Sequence, residues 1–281
     1  MNNRQNMIYK GVFHVHTTYS CDATLTLEDY VAYAKQENIS FIFFAEHDGT
    51  FTKELYDEYK TECKRLSTDS LLLVPGIEFT IEGKTHIAVF GLEEFHEVDS
   101  VEEKLSVIKN AEGLSSYAHP AYYHDDKYSA EFVKVDAIEI LNSRYNNTCF
   151  PNYKSYSLYQ RYRRENKNIA ITCGPDWHHE KDFKGYVYHY LKLEKLDKDE
   201  ILDKIRNKQS VFGKGIIKYN PDKISLFIII YMYLTELIVP IREKNKSLKY
   251  YFMRAYEEIV IRRNILYFNY LFQKYVIGKR K

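Results

Sequence analysis

The chain has 281 residues, with 40 Lys and Arg against 39 Asp and Glu, for a formal charge of +1. So even a balance excludes a globally basic nucleic-acid surface, and the length suits one large α/β domain with an appendage, or two small domains. Cys21, Cys63, Cys149 and Cys173 contain no C-x-x-C pair, which excludes a disulfide framework or zinc ribbon, and the start MNNRQNMIYKG lacks the apolar core of a secretion signal, so a reducing, cytoplasmic setting is expected.

The short apolar run Met7 to Phe13 reads as a first strand, and His14 and His16 follow it two residues apart, with Asp22 six residues further on. Residues i and i+2 of a strand point to one face, so two imidazoles project together beside a nearby carboxylate, a donor set that suits a borderline divalent metal. Thr24 to Glu37 shows helical spacing, with Thr26 as cap and Asp29 three residues on. Phe41 to Ala45 (FIFFA) is a continuous apolar run expected of a strand buried on both faces. Lys53 to Leu66 reads as a helix, Leu71 to Val74 and Ile87 to Phe90 as strands, and Ser100 to Asn110 as a helix. Strands follow at Leu114 to Ala118 and Ala137 to Leu141, then a helix at Tyr153 to Asn166 and a strand at Ile169 to Cys173. A less buried strand, Tyr186 to Leu193, and a helix, Lys198 to Lys208, complete the pattern. Alternating strands and helices imply parallel β/α units, and about seven such units in so short a span favour a barrel over an open sheet.

Composition changes after Asn220-Pro221. Residues 222–281 carry 12 Lys and Arg against 5 Asp and Glu, a net of +7, which leaves −6 for residues 1–221. Ile224 to Val239 is almost wholly apolar but short for a membrane span and interrupted by Glu236. Ser247 to Ile277 reads as a second helix with basic residues interspersed. This α-helical extension has three readings: a cap on the barrel or a homodimer contact, attachment to a membrane surface, or a true span.

Several strand ends carry a titratable residue. His47 follows FIFFA, Glu78 follows LLLVPGI, His86 opens the next strand, His119 ends another within AHP, and Asp176 and His178 follow IAITCGP. In a β/α barrel the C-terminal strand ends open on one face, so residues spread over the chain would converge there. Buried His and Asp without partners are costly, so so many strand-end placements point to a shared metal site.

The ordered set HxH, EHD, GIE, a following-strand His, AHP and DxH resembles the polymerase and histidinol phosphatase (PHP) family of metal-dependent phosphoesterases, over roughly residues 8–215. The resemblance implies a distorted (β/α)7 TIM-like barrel with two or three divalent ions, Zn, Mn or Fe. By motif, one ion would take His14, His16, Glu78 and Asp176. A second would share Glu78 and take His86 and His119, and a third would lie near Asp22, His47 and His178. Glu139 to Asn142 (EILN) is similar to the family's strand ending in ExxN, and Asp203 to Phe212 to its closing helix and turn. Two departures stand out: Ser20-Cys21-Asp22 places the aspartate one residue later than a Ser-Asp version, and only 33 residues separate His86 from His119, which leaves no room for an inserted helical domain.

Residues and resemblance agree on metal-assisted hydrolysis. Glu78 and Asp176 would hold the ions around the reacting phosphate, His178 would give a proton to the leaving oxygen, and Arg144, after the EILN strand, would contact a phosphate. His124 and His179 adjoin motif positions and read as solvated neighbours. The expected substrate is a phosphomonoester of a small metabolite or nucleotide. Alternatives are a phosphodiesterase or exonuclease on short nucleic acid, for which the basic tail speaks, and a non-catalytic metal-stabilised scaffold.

Overall fold

The computed structural model describes residues 7–82, 85–122, 129–132, 134–146, 150–183, 187–214, 217–226 and 228–234. The chain divides into two compact units, Met1–Ile229 and Ile230–Lys281.

In the first unit, strand β1 (Met7–Phe13) is exposed at its start and buried from Gly11 onward. Helix α1 (Leu27–Glu37) opens with the expected capping box: Asp29 N donates to the Thr26 hydroxyl at 3.2 Å, and Thr26 N donates to the Asp29 carboxylate at 2.8 Å. It ends at Asn38 in the left-handed region, a common way to stop a helix. Strands β2 (Phe41–Phe43) and β3 (Glu46–His47) precede helix α2 (Lys53–Leu66), which Thr52 caps. Strands β4 (Leu72–Val74), β5 (Gly76–Ile81) and β6 (Thr85–Phe90) come next, then helix α3 (Val101–Asn110), which opens with a Ser100/Glu103 capping box. Strand β7 (Leu114–Tyr117), the short helix α4 (Ser129–Phe132), strand β8 (Ala137–Asn142), the short helix α5 (Ser143–Asn146), helix α6 (Tyr153–Glu165) and strand β9 (Ala170–Gly174) follow. Strand β10 (Tyr188–Leu193), helix α7 (Lys198–Arg206) and strands β11 (Val211–Lys214) and β12 (Ile217–Tyr219) complete it.

The strands form two six-stranded mixed sheets, β12-β11-β10-β1-β2-β4 and β3-β5-β6-β7-β8-β9. Parallel pairing holds for β1/β2, β2/β4, β3/β5, β7/β8 and β8/β9, but β10 runs antiparallel to β1, and β6 antiparallel to both β5 and β7. Alternating strands and helices predict parallel units throughout and leave β3, β5, β11 and β12 without a signal. Pro75-Gly76 resembles a strand terminator, which hides β5 behind it. Only three residues lie between Ile81 and Thr85, too few for the crossover that parallel strands require, so β5 and β6 must run antiparallel.

Alternation along the strands makes two cores. Val12, Ile42, Leu73, Ile77 and Ile138 pack with Tyr30, Tyr59 and Tyr159 of α1, α2 and α6. Phe13, Phe43, Val74, Phe90, Leu114, Ala137, Ala170 and Leu191, drawn from both sheets, meet Ile201, Leu202 and Ile205 of α7. The Phe13 ring stacks on Phe43 at 4.3 Å and meets Phe90 edge-on at 5.1 Å.

His189 lies wholly buried beside Phe13 and Phe212. The Ser210 hydroxyl is 2.8 Å from its Nδ1, and the Cys173 carbonyl is 2.9 Å from its Nε2. Burial holds its pKa down to about 3. An unfolded histidine titrates near 6.5, so between pH ~6.5 and ~3 the unfolded chain binds the extra proton, and stability falls as pH falls. The loss is on the order of 4 kcal/mol across that window. Urea unfolding at pH 7 and pH 4 should show His189→Gln losing less stability than the wild type on acidification. An equal loss in both would refute this.

Among the described residues no helix is long and apolar enough to cross a membrane. Cys149, His124 and residues 235–281 lie outside the described residues, and with them the helix expected over Ser247 to Ile277 and most of the segment proposed for membrane or homodimer contact.

Candidate metal centre

Backbone geometry at two strand ends assembles the centre. Past Phe13 the chain takes a left-handed turn at His14 (φ 62°), and Val15 then pairs in parallel with Trp177. His16 N donates to Trp177 O and Asp176 N donates to His14 O, each at 2.9 Å, so the HxH and DxH segments are laced together. Ala45 N donates to Val15 O at 3.0 Å, which draws in the end of FIFFA and with it His47 on β3. On β5, Ile77 and Phe79 point into the helix-side core, so Glu78 between them faces the other way, toward the histidines. His86 stands on β6, and His119 follows β7 with a φ of 29°.

Glu78 is the hub. Its Oε1 lies 3.3 Å from His14 Nε2, 3.2 Å from His86 Nδ1 and 3.1 Å from His119 Nε2. Its Oε2 lies 3.3 Å from His47 Nδ1 and 3.7 Å from His16 Nε2. Asp176 Oδ1 is 3.4 Å from His16 Nε2, 3.3 Å from His178 Nδ1 and 3.9 Å from His14 Nε2. Asp22, half exposed, reaches His47 Nε2 and His178 Nε2, each at 3.3 Å. All nine sequence-predicted ligands therefore meet in one place, Glu78 and Asp176 in the interior and Asp22 at the rim.

Electrostatics follow from burial and these contacts. Burial penalises the charged forms of Glu78 and Asp176, yet the facing imidazoles outweigh it and hold both carboxyls well below the usual range. Burial likewise opposes charge on His14, but Glu139, Glu78 and Asp176 outweigh it and raise its pKa well above the ordinary value. His47, despite its own burial cost, is raised to about 9 chiefly by Glu78. His16 and His178 go the other way, pushed down mainly by burial.

The donors fit divalent cations. His14 Nε2 and His16 Nε2 are buried with no hydrogen-bond partner, and both face carboxylate oxygens. A buried polar nitrogen left in that state is costly unless a cation takes its lone pair. Among the described residues four groups have ligand atoms within 4.8 Å of one another: His14/His16/Glu78, His14/His119/Asp176, Glu78/His86/His119 and His16/His47/His178. Mixed imidazole and carboxylate donors suit Zn, Fe and Mn.

Behind the ligands stand residues to which the sequence reading gave no role. Glu46, wholly buried, accepts Thr17 N at 2.9 and 3.0 Å and the Ser20 hydroxyl at 2.6 Å; Ser20 Oγ in turn accepts His47 N at 3.0 Å. This carboxylate ties the loop before Asp22 to β3. Burial raises its pKa to about 7, against these hydrogen bonds. Asp182 Oδ2 accepts His178 N at 3.1 Å and His179 N at 2.9 Å, fixing the DxH turn. Glu139 and Asn142 of the EILN strand lie directly against His14, His119 and Asp176. The available signal was position alone, since each adjoins or follows a motif. His179 contacts the Thr24 hydroxyl at 3.0 Å and lies outside the cluster. Arg144 is exposed on α5, and its charge acts on His178.

The family model of the PHP domain matches residues 13–217. No curated protein matches the chain. A two-domain protein of Bacteroides vulgatus ATCC 8482, described as containing a predicted PHP-like metal-dependent phosphoesterase, is similar with a TM-score of 0.56 and 16% identity. The similarity covers 73% of this chain and 64% of that one, so this chain spans under two thirds of that protein. Endonuclease Q, in complex with a 27-mer duplex carrying an abasic lesion at the active site, is similar with a TM-score of 0.50 and 13% identity, over 72% of this chain and 57% of that one. At these identities the likeness is one of fold.

Proposed function

This chain belongs to the PHP-domain family, and from that premise we propose that it is a metal-dependent phosphoesterase acting on a phosphomonoester of a small metabolite or nucleotide. The observation that carries the proposal is Glu78, a buried carboxylate with five imidazole nitrogens within 3.1–3.7 Å. The two sheets are taken as one distorted barrel within residues 1–221. In support, the segments that follow β1 and β9 are laced together at Val15 and Trp177, and inward residues of both sheets share one core around α7.

His14, His16, Glu78 and Asp176 would hold one ion, Glu78, His86 and His119 a second, and Asp22, His47 and His178 a third. Bound divalent cations lower the pKa of water and polarise phosphoryl oxygens. Asp176 and Glu78, kept ionised by their neighbours, set the negative charge that retains cations; they have no proton to give. His178, whose ring nitrogens lie 3.3 Å from Asp22 and from Asp176, would help hold the third ion or give a proton to the leaving oxygen.

Arg144, exposed on α5 after the EILN strand, would contact the phosphate. An ionic hydrogen bond of about 1.5–3 kcal/mol, reduced here by solvent exposure, predicts that Arg144→Ala lowers kcat/KM roughly tenfold, mainly through KM. Steady-state kinetics at saturating Mn or Zn would check this, and an unchanged KM would remove Arg144 from the site.

Wild-type protein loaded with Mn or Zn should hydrolyse p-nitrophenyl phosphate, and His14→Ala and Asp176→Ala should not. Absence of metal uptake, with mutants indistinguishable from wild type, would end the phosphoesterase reading, whereas metal uptake without turnover would leave the metal-stabilised scaffold. The diesterase reading draws on the basic residues 222–281 and on the fold shared with endonuclease Q. Faster turnover of short oligonucleotides than of phosphomonoesters would establish it.

A further inference from the structure

We infer that Glu139 is a positioning residue that sets three ligands of the metal centre at once, and that its negative charge dictates the tautomer of His14. The inference rests on the metal-site reading above.

Glu139 is buried in the middle of β8. Its Oε1 lies 3.0 Å from His14 Nδ1. Its Oε2 accepts His119 N at 2.8 Å and Asn142 Nδ2 at 3.0 Å, and the same Asn142 amide donates to Asp176 Oδ2 at 3.1 Å. His14, His119 and Asp176 have φ values of 62°, 29° and 54°. Non-glycine residues rarely adopt this region, and such strain persists only where surroundings over-determine it. Glu139 reaches the first two directly and the third through Asn142. The opposing strand makes room for this: a Cβ at Gly174 would fall 2.5 Å from Glu139 Oε1 and 2.6 Å from His14 Cβ.

Charge matters as well as shape. An ionised carboxylate only accepts hydrogen bonds, so the proton of a neutral His14 sits on Nδ1 and the lone pair on Nε2. That nitrogen faces Glu78 Oε1 and Asp176 Oδ1, where a cation would lie. Three donors therefore converge on Glu139: His14 Nδ1–H, His119 N–H and Asn142 Nδ2–H. A glutamine there offers one acceptor and one donor. If its amide meets His14, the His14 proton moves to Nε2 and blocks the ligand position. If its amide turns away, it opposes the donors of His119 and Asn142. A purely structural side chain of that shape would tolerate the change; an acceptor that sets ligand chemistry would not.

The test compares full-length wild type, Glu139→Gln and Asn142→Ala, stripped of metal and titrated with zinc against a competing chelator, with circular dichroism as the check on folding. Glu139→Gln is expected to bind zinc roughly 10–100-fold more weakly, and 15N-detected histidine NMR of the zinc-loaded protein to show the His14 Nδ1–H signal weakened and shifted from its wild-type position. Asn142→Ala, which keeps the carboxylate but frees Asp176, should lose roughly tenfold, and it carries the test if the glutamine variant does not fold. Wild-type zinc affinity in the folded Glu139→Gln protein, or in Asn142→Ala, with His14 still protonated on Nδ1 overturns the inference alone. A wild type that takes up no zinc overturns the metal-site reading, and this inference with it.

Discussion

Glu78→Gln is expected to lower kcat/KM for a phosphate monoester by roughly 10^2–10^4-fold while leaving the fold intact. Glutamine has nearly the same shape, so only charge and acceptor capacity change. Both oxygens of Glu78 are committed, one to His14, His86 and His119 and the other to His47 and His16. Bound cations supply several kcal/mol of transition-state charge stabilisation, and each 1.36 kcal/mol of it lost with the carboxylate is a factor of ten in rate. The loss should also appear as metal content, because Glu78 belongs to two of the four donor groups. Kinetics paired with metal analysis by mass spectrometry would check both. Full activity at full metal occupancy in Glu78→Gln would remove the residue from the centre.

Metal removal is the second large effect. Chelation followed by dialysis should lower the melting temperature by about 8–16 °C, and added Zn or Mn should restore it. A ligand present at a thousand times its dissociation constant stabilises the folded state by about 4 kcal/mol. Each kcal/mol moves the melting point of a domain this size by about 2–4 °C. The structural reason is the density of buried polar groups: Glu78, Asp176, Glu139, His14, His16, His119 and His178 are all buried. Without cations, protons on His14 and His47 must balance the carboxylates, while the Nε2 atom of His16 stays buried with no hydrogen-bond partner. Calorimetric scans of stripped and reloaded protein would measure it, and coincident melting curves would show that no cation stabilises this fold.

Much of the architecture was legible because local physics wrote it. The capping residues Thr26 with Asp29, and the helical periodicity of Lys53–Leu66, settle their helices without tertiary help. Strand β5 was not legible, since its Pro-Gly opening imitates a turn and its apolar residues alternate around Glu78. Strand direction was not legible either, because periodicity 2 is the same in parallel and antiparallel ladders. The ligands could be named because most of them stand in short motifs at or beside apolar strand runs. Their supports Glu46 and Asp182 could not be given roles, because a carboxylate behind a histidine carries no spacing signature of its own; Glu139 stands in the ExxN pattern, but that pattern does not encode its contacts with His14 and His119 across the strands.

By itself the sequence determined the donor inventory: six histidines and three carboxylates in ordered motifs, in a stretch that the PHP-domain family model matches over residues 13–217. Only the tertiary structure decided how they are used. Left-handed turns at His14, His119 and Asp176 aim side chains that ideal strands would direct elsewhere. Glu78 becomes the hub because β5 lies between β3 and β6. Hydrogen bonds across 125 and 20 residues of chain then fix a histidine ring and a backbone amide to Glu139. Such contacts depend on distances between strands, and no local pattern of residues encodes those.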